Sequence, residues 1–196
     1  NYALETFGFP TYEIEKYKYF VGDGMQKLIE RVIPEENRNA KTQSKVFDCF
    51  YEYYSGHYLC KTYAYEGIEC VLDTLKTYGI KIAVVSNKAD QMAKTVVEKI
   101  FGNRFCLVAG KKEGYPPKPD PRLTLEGIDI LGVKPSECAF VGDSGMDMAV
   151  AGNSGCIAVG VTWGFRTQEE LKQNGAQYLL NTPNEIIKLV KDINNG

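Results

Sequence analysis

From residue 63 onward the chain alternates two rhythms, and this alternation limits the fold more than any other feature. Short apolar runs recur at 80–85, interrupted only by Lys81, and at 105–109, 138–141, 156–161 and 178–180. Between them lie stripes at helical spacing. Ile68, Val71, Leu72 and Leu75 form one, Met92, Ala93, Val96 and Ile100 a second, and Ile186, Ile187, Val190 and Ile193 a third. Strands that are apolar on both faces, separated by amphipathic helices, predict a parallel sheet covered on both sides. Right-handed crossovers carry the C-terminal end of every strand to one edge, where the ligands of such sheets bind.

Residues 1–63 keep a different pattern. Met25, Leu28, Ile29 and Val32 make one helical stripe; Val46, Phe50, Tyr53 and His57 make a looser one. Pro34 ends one helix and can open the next. Leu4 and Phe7 fit the end of a helix with Gly8 as its cap, and no Ser, Thr or Asp cap precedes it. This part predicts a small helical bundle without strands, so the expected boundary divides 1–63 from 64–196.

Composition removes several functions. Of 196 residues, 44% are hydrophobic and 24% charged, enough for a sizeable core and against a disordered chain. A net charge of −2 speaks against a general nucleic-acid binder. No apolar run is long enough to span a bilayer, and no signal-peptide pattern opens the chain. The six cysteines form no C-x-x-C pair and only one His is present, which speaks against a zinc cage. Cys106, Cys138 and Cys156 read as small core hydrophobes in a reducing cytoplasm.

Three polar signals fall at predicted strand ends. Ser86-Asn87 follows the first apolar run, where a hydroxyl and turning backbone N–H groups suit an anion. Its competing use is a helix N-cap. Pro116-Pro117-Lys118-Pro119-Asp120-Pro121 holds one cation in a stiff turn, either against a phosphate or carboxylate or simply in solvent. Gly142-Asp143-Ser144-Gly145-Met146-Asp147 leads a strand into a helix and sets two carboxylates on one side of the first turn. Such a pair calls for a positive partner, and Mg²⁺ suits hard oxygen ligands. The structural alternative makes Asp143 an N-cap and Asp147 a favourable first-turn charge. A hydroxyl, a held Lys and an acidic pair on one edge together specify phosphoryl transfer.

On these motifs the sequence resembles the haloacid dehalogenase-like hydrolase superfamily, in its phosphoglycolate phosphatase-like branch. Val84-Val85-Ser86-Asn87, Lys118 in Lys-Pro-Asp-Pro, and the 141–147 segment are similar to that family's second, third and fourth motifs. The resemblance implies a Rossmann-like core with a small helical cap. It implies that Ser86, Asn87 and Lys118 bind phosphate, that Lys118 and Asp143 are catalytic, that Asp143 ligates Mg²⁺, and that Asp147 completes the metal site by holding the Lys or a metal-bound water. It also implies that Gly22, Gly24 and Lys27 in the cap face the substrate. The family's first motif, Asp-x-Asp-x-Thr, supplies the nucleophile and the general acid/base and does not occur here. The resemblance puts it on the first core strand, about 20 residues before Asn1, so the biological chain is expected to be longer. Losing that central strand would expose a wide apolar surface.

The expected activity is Mg²⁺-dependent hydrolysis of a small phosphomonoester through an aspartyl-phosphate, by a monomer or homodimer. The alternatives are an inorganic pyrophosphatase, a sugar-phosphate mutase, an inactive phosphate-binding protein, or a receiver-like signalling module. The last would place its Asp before the Ser and Lys, the reverse of the order Ser86, Lys118, Asp143. Other residues take structural expectations. His57 is read as a core or rim residue, Arg166 as a surface charge, and Asp23 as a possible helix cap. The tyrosines at 51, 53, 54, 58, 63 and 65 are read as packing and hinge.

Overall fold

A computed structural model describes residues 1–195. The chain divides into two compact units, Asn1–Thr62 and a second beginning at Tyr63.

The first unit is helical, with α1 (Tyr2–Thr6), α2 (Ile14–Phe20), α3 (Met25–Val32) and α4 (Ala40–His57). Gly8, at φ 69°, closes α1. Its N–H bonds Glu5 O at 3.1 Å, and the Phe9 N–H bonds Leu4 O at 2.9 Å, so two orphan carbonyls are satisfied. Asn39 caps α4, its side chain accepting from the Thr42 N–H at 2.9 Å. Ala3, Ile29, Ile33 and Val46 form the core, with Phe9, Phe47, Cys49 and Phe50 against it. The expected α4 stripe holds only in its first half. Tyr53 and His57 are exposed, so His57 is not a core residue. Its ring stacks on Tyr53 at 4.0 Å. Tyr53 also stacks on Tyr2 of α1 at 4.3 Å, and both rings lie at the surface, Tyr2 52% and Tyr53 43% exposed.

The second unit alternates strands and helices: α5 (Ile68–Thr77), β1 (Ala83–Ala89), α6 (Asp90–Phe101), β2 (Leu107–Lys111), α7 (Arg122–Leu131), β3 (Ala139–Gly142), α8 (Gly145–Ser154), β4 (Ile157–Val161), α9 (Gln168–Gln173), β5 (Tyr178–Leu180) and α10 (Asn184–Asn195). Every strand pair is parallel. Helices α6 and α7 pack on β1 and β2, while α8 and α9 pack on β4. The strands do not make one continuous ladder. Among the described residues they form β1-β2 and, separately, β3-β4-β5. Burial follows from that division. β4 lies between two strands and is buried from Ala158 to Val161, whereas no residue of β1 is buried and Val141 of β3 is 40% exposed. Cys106 is exposed as well, contrary to the expected core position.

The first strand runs further than its apolar pattern predicts, and it does so through a bulge. Ala83, Val84 and Val85 pair with Leu107, Val108 and Ala109, but the next register pair is Ala89 with Lys111. Ser86, Asn87 and Lys88 therefore oppose Gly110 alone. The side chain there must be absent. A Cβ on Gly110 would lie 2.5 Å from Asp90 Cα, 2.6 Å from Lys88 O and 2.8 Å from Asp90 N, all of them backbone atoms. Gly110→Ala is accordingly expected to cost about 3 kcal/mol, at the upper end for overpacking, because no flexible side chain can yield. Urea denaturation measures it, and an unchanged midpoint would remove the bulge from this account.

Candidate active site

Three segments of the second unit converge on the Lys118 side chain. Its Nζ lies 2.6 Å from Asp147 Oδ1 and donates to Val85 O at 3.3 Å. Its backbone N–H donates to Asn87 Oδ1 at 2.8 Å. Val85 and Asn87 flank Ser86, so Lys118 is tied to both neighbours of the predicted phosphate-binding hydroxyl. The pair is well sheltered, with side-chain exposures of 14% for Lys118 and 9% for Asp147. The Phe140 ring lies 5.6 Å from Lys118 Nζ, a cation–π arrangement.

Ser86 is not a helix cap. The strand continues to Ala89, and α6 starts at Asp90 with no side-chain cap. Ser86 Oγ instead accepts the Lys88 N–H at 3.1 Å inside the bulge. Its hydroxyl proton can still be donated. The side-chain carbonyl of Asn87, expected at the phosphate, braces the Lys118 loop.

The acidic corner is organised by a capping box. Ser144 is the N-cap of α8, and Asp147 is its N3 residue. Asp147 Oδ2 accepts from Ser144 Oγ at 2.6 Å, Ser144 N at 3.1 Å and Asp143 N at 3.2 Å. Its other oxygen meets Lys118. The carboxylate expected at a metal is thus engaged on both oxygens by protein donors. Since Ser144 does the capping, Asp143 is released from that task. Its Oδ2 accepts the Phe165 N–H at 2.9 Å. Burial pushes the Asp143 carboxyl above the usual range, and the Asp147 carboxylate adds to the rise. The Phe165 N–H and the Lys118 ammonium pull it the other way.

Two glycines make this corner possible. A Cβ on Gly142 would overlap the Cβ of Asp147, and one on Gly164 would overlap the Asp143 carboxylate. Gly142 therefore allows close approach rather than an unusual turn, because its φ is not positive. Neither contact was evident from the sequence. The Ser144-x-x-Asp147 box was readable in it, as a capping signature. The Asp143 contacts to Gly164 and Phe165 span more than 20 residues and leave no local signal. Arg166 departs from its expected surface position: its side chain is 12% exposed and its Nε lies 3.2 Å from Glu170 Oε1.

The remaining candidates sit in the first unit. Gly24, at φ 93°, is the N-cap of α3, and Gly22 has φ 120°. Asp23 does not cap; it pairs with Arg31. Lys27 Nζ meets Glu30 at 2.7 Å on an exposed helix face.

A magnesium ion was tested against the donors present. Among the described residues no group of three His, Cys, Asp or Glu side chains gathers as a ready-made cage. Mg²⁺ does not need one, since it keeps several waters and takes one or two carboxylates plus substrate oxygens. Asp143 offers a hard oxygen that is held in place by Phe165 and poorly compensated where it lies. The residues fit the ion.

The sequence model of the haloacid dehalogenase-like hydrolases matches residues 1–161. A phosphoglycolate phosphatase of Chromobacterium violaceum is 29% identical over 197 residues, covering 98% of this chain and 87% of the relative. One from Neisseria meningitidis is 31% identical over 177 residues, covering 88% of this chain and 75% of the relative. A Lactobacillus delbrueckii subsp. bulgaricus crystal structure with a provisional phosphoglycolate phosphatase name superposes with a TM-score of 0.91 at 30% identity. It covers 96% of this chain and 88% of that one. With the Ser86, Lys118 and Asp143 segments joined at one corner and the family pattern matched over most of its length, the chain belongs to the haloacid dehalogenase-like hydrolases.

Proposed function

We propose that this chain serves a Mg²⁺-dependent phosphatase acting on a small phosphomonoester of the phosphoglycolate type. The observation that carries this reading is the Lys118 hub, which ties both neighbours of Ser86 to the acidic corner. The relatives named phosphoglycolate phosphatase support the substrate class.

Each residue then has a task. The Ser86 hydroxyl donates to a phosphoryl oxygen. Lys118 neutralises charge on the phosphate as it transfers. Asp147 fixes Lys118 and the start of α8, so it is a positioning residue. Asp143 would hold Mg²⁺. When bound, the ion supplies positive charge to the phosphate oxygens as the bond to the leaving group breaks. No Asp-x-Asp pair occurs in the 196 residues. In this reading the attacking carboxylate is the one the resemblance assigns to a strand outside them, and among the described residues β1 and β3 each keep one edge without a strand partner. That carboxylate forms an aspartyl-phosphate that water then hydrolyses. In this reading residues 1–63 are the family's cap and 64–196 its core, and Gly22, Gly24 and Lys27 belong to substrate selection.

Phosphate release by the full-length protein tests the reading, with phosphoglycolate, pyrophosphate and glucose 1-phosphate compared at equal Mg²⁺. The expected result is the highest kcat/KM for phosphoglycolate, lost on chelation. Preference for pyrophosphate or a hexose phosphate would replace the substrate class. Failure to hydrolyse any phosphomonoester would overturn the activity.

A further inference from the structure

We propose that Cys138 and Cys156 form a reversible cross-strand disulfide, made by exchange with a low-molecular-weight disulfide. This goes beyond the phosphatase reading and does not depend on it. The argument begins with register. Ala139 and Ile157 are partners in the parallel β3–β4 ladder, and the Ile157 N–H bonds Cys138 O at 2.9 Å. Cys138 and Cys156 immediately precede those partners, so they are neighbours across the same two chains. Parallel neighbours lie about 4.8 Å apart, within the Cα range that a disulfide spans.

Their surroundings agree. Cys156 belongs to the buried cluster with Ile128, Met148 and Ala158, and Cys138 packs against that same cluster. The two side chains therefore share one face. Cys138 Sγ donates to Lys134 O at 3.3 Å, and Ser154 Oγ donates to Cys156 Sγ at 3.5 Å. Burial pushes the Cys138 thiol up, with the Cys156 thiol beside it contributing to the rise. Both are free thiols here; Cys138 is half-buried and Cys156 buried, so reagent meets Cys138 first.

The exchange balances in two displacements. The Cys138 thiolate attacks the small disulfide, bonds to one half and releases the other as a thiolate. The Cys156 thiolate then attacks Cys138 Sγ and expels the second half. Two protein thiols are oxidised, one small disulfide is reduced to two thiols, and the two protons pass to those thiols. The bond would close a loop holding β3 and α8, and with them Asp143, Ser144 and Asp147. Oxidation therefore staples the segment that carries the acidic corner, at the strand ends away from it.

The test is equilibration of the full-length protein in a glutathione buffer from reducing to oxidising, followed by acid quench, alkylation and peptide mass mapping. Equilibration matters, because a raised thiol pKa lowers the reactive thiolate fraction and slows the exchange. The expected result is a peptide linked through Cys138 and Cys156, reversed by dithiothreitol. A Tm increase of roughly 5 °C should accompany it in the parent and be absent in Cys138→Ser. Recovery of Cys138 as free thiol or glutathione adduct, with Cys156 unlinked under oxidising conditions, would overturn the proposal.

Discussion

Asp147→Ala is expected to destabilise the folded protein by about 4 kcal/mol, more than any other single change at the acidic corner. Two losses combine. Lys118 stays sheltered without its carboxylate partner, and removing one member of a buried pair is far costlier than replacing both. The α8 capping box also loses its N3 side chain, which satisfied Ser144 N, Ser144 Oγ and Asp143 N; that share is about 1 kcal/mol. Lys118→Met should cost less, because Asp147 keeps three of its four donors and the new side chain fills a similar volume. The double variant Asp147→Ala/Lys118→Met should be less destabilised than the sum of the two singles, by an interaction energy of about 2 kcal/mol. Urea titrations of the four proteins measure the cycle. Strict additivity would mean that the 2.6 Å contact contributes nothing to the fold.

The parts of this corner that were legible in the sequence are those with a local signature. The apolar runs announced β3, β4 and β5 to within a residue, although only β4, which lies between two strands, is buried along nearly its whole length. Lys118, Asp143 and Ser86 were legible because each sits where a strand or a Pro-rich turn delivers a polar side chain. The bulge after Val85 was not, because it depends on a glycine in another strand, Gly110, whose lack of a side chain looks like any other loop glycine. The same holds for Gly164 against Asp143. The split between Asp143 and Asp147 was half legible. Spacing placed both on one side of α8 and the resemblance offered the Lys as one partner of Asp147, but the hydrogen-bond network shows that Asp147 serves Lys118 and the cap together while Asp143 serves neither. The exposure of Tyr53 and His57 was hidden for a different reason: helical periodicity marks a stripe of rings without saying whether they enter the core, and here Tyr53 stacks on Tyr2 and on His57 at the surface.

That difference between the two carboxylates leads to opposite effects of one substitution. Ionised Asp143 is poorly compensated: it is desolvated, it faces Asp147, and it has the Phe165 N–H as its main relief. A carboxyl whose folded pKa is raised favours the folded state below its ordinary value of 3.8, and that contribution is lost as pH climbs through the folded pKa. At neutral pH the charge therefore costs stability. Asp143→Asn removes the charge and keeps the shape, so without divalent cation its Tm should exceed that of the parent, and the gap should close as the pH is lowered toward 4. Added Mg²⁺ should reverse the ranking. Bound cation stabilises the parent by about 2.7 kcal/mol at a hundred times its dissociation constant, whereas the variant, lacking the anionic ligand, should barely respond. Turnover of the full-length variant should fall by about 10³-fold, the scale of losing an electrostatic contributor at the transferring group. Thermal melts with and without Mg²⁺ across pH 4–8, beside phosphate-release rates, measure all of these. A variant that melts below the parent without cation, or that gains as much as the parent from Mg²⁺, would show that the Asp143 charge is compensated within the protein and is not reserved for an ion. A corner built for structure would not leave such a charge exposed to repulsion, so the sign of that Tm difference separates a phosphoryl-transfer site from a mere helix start.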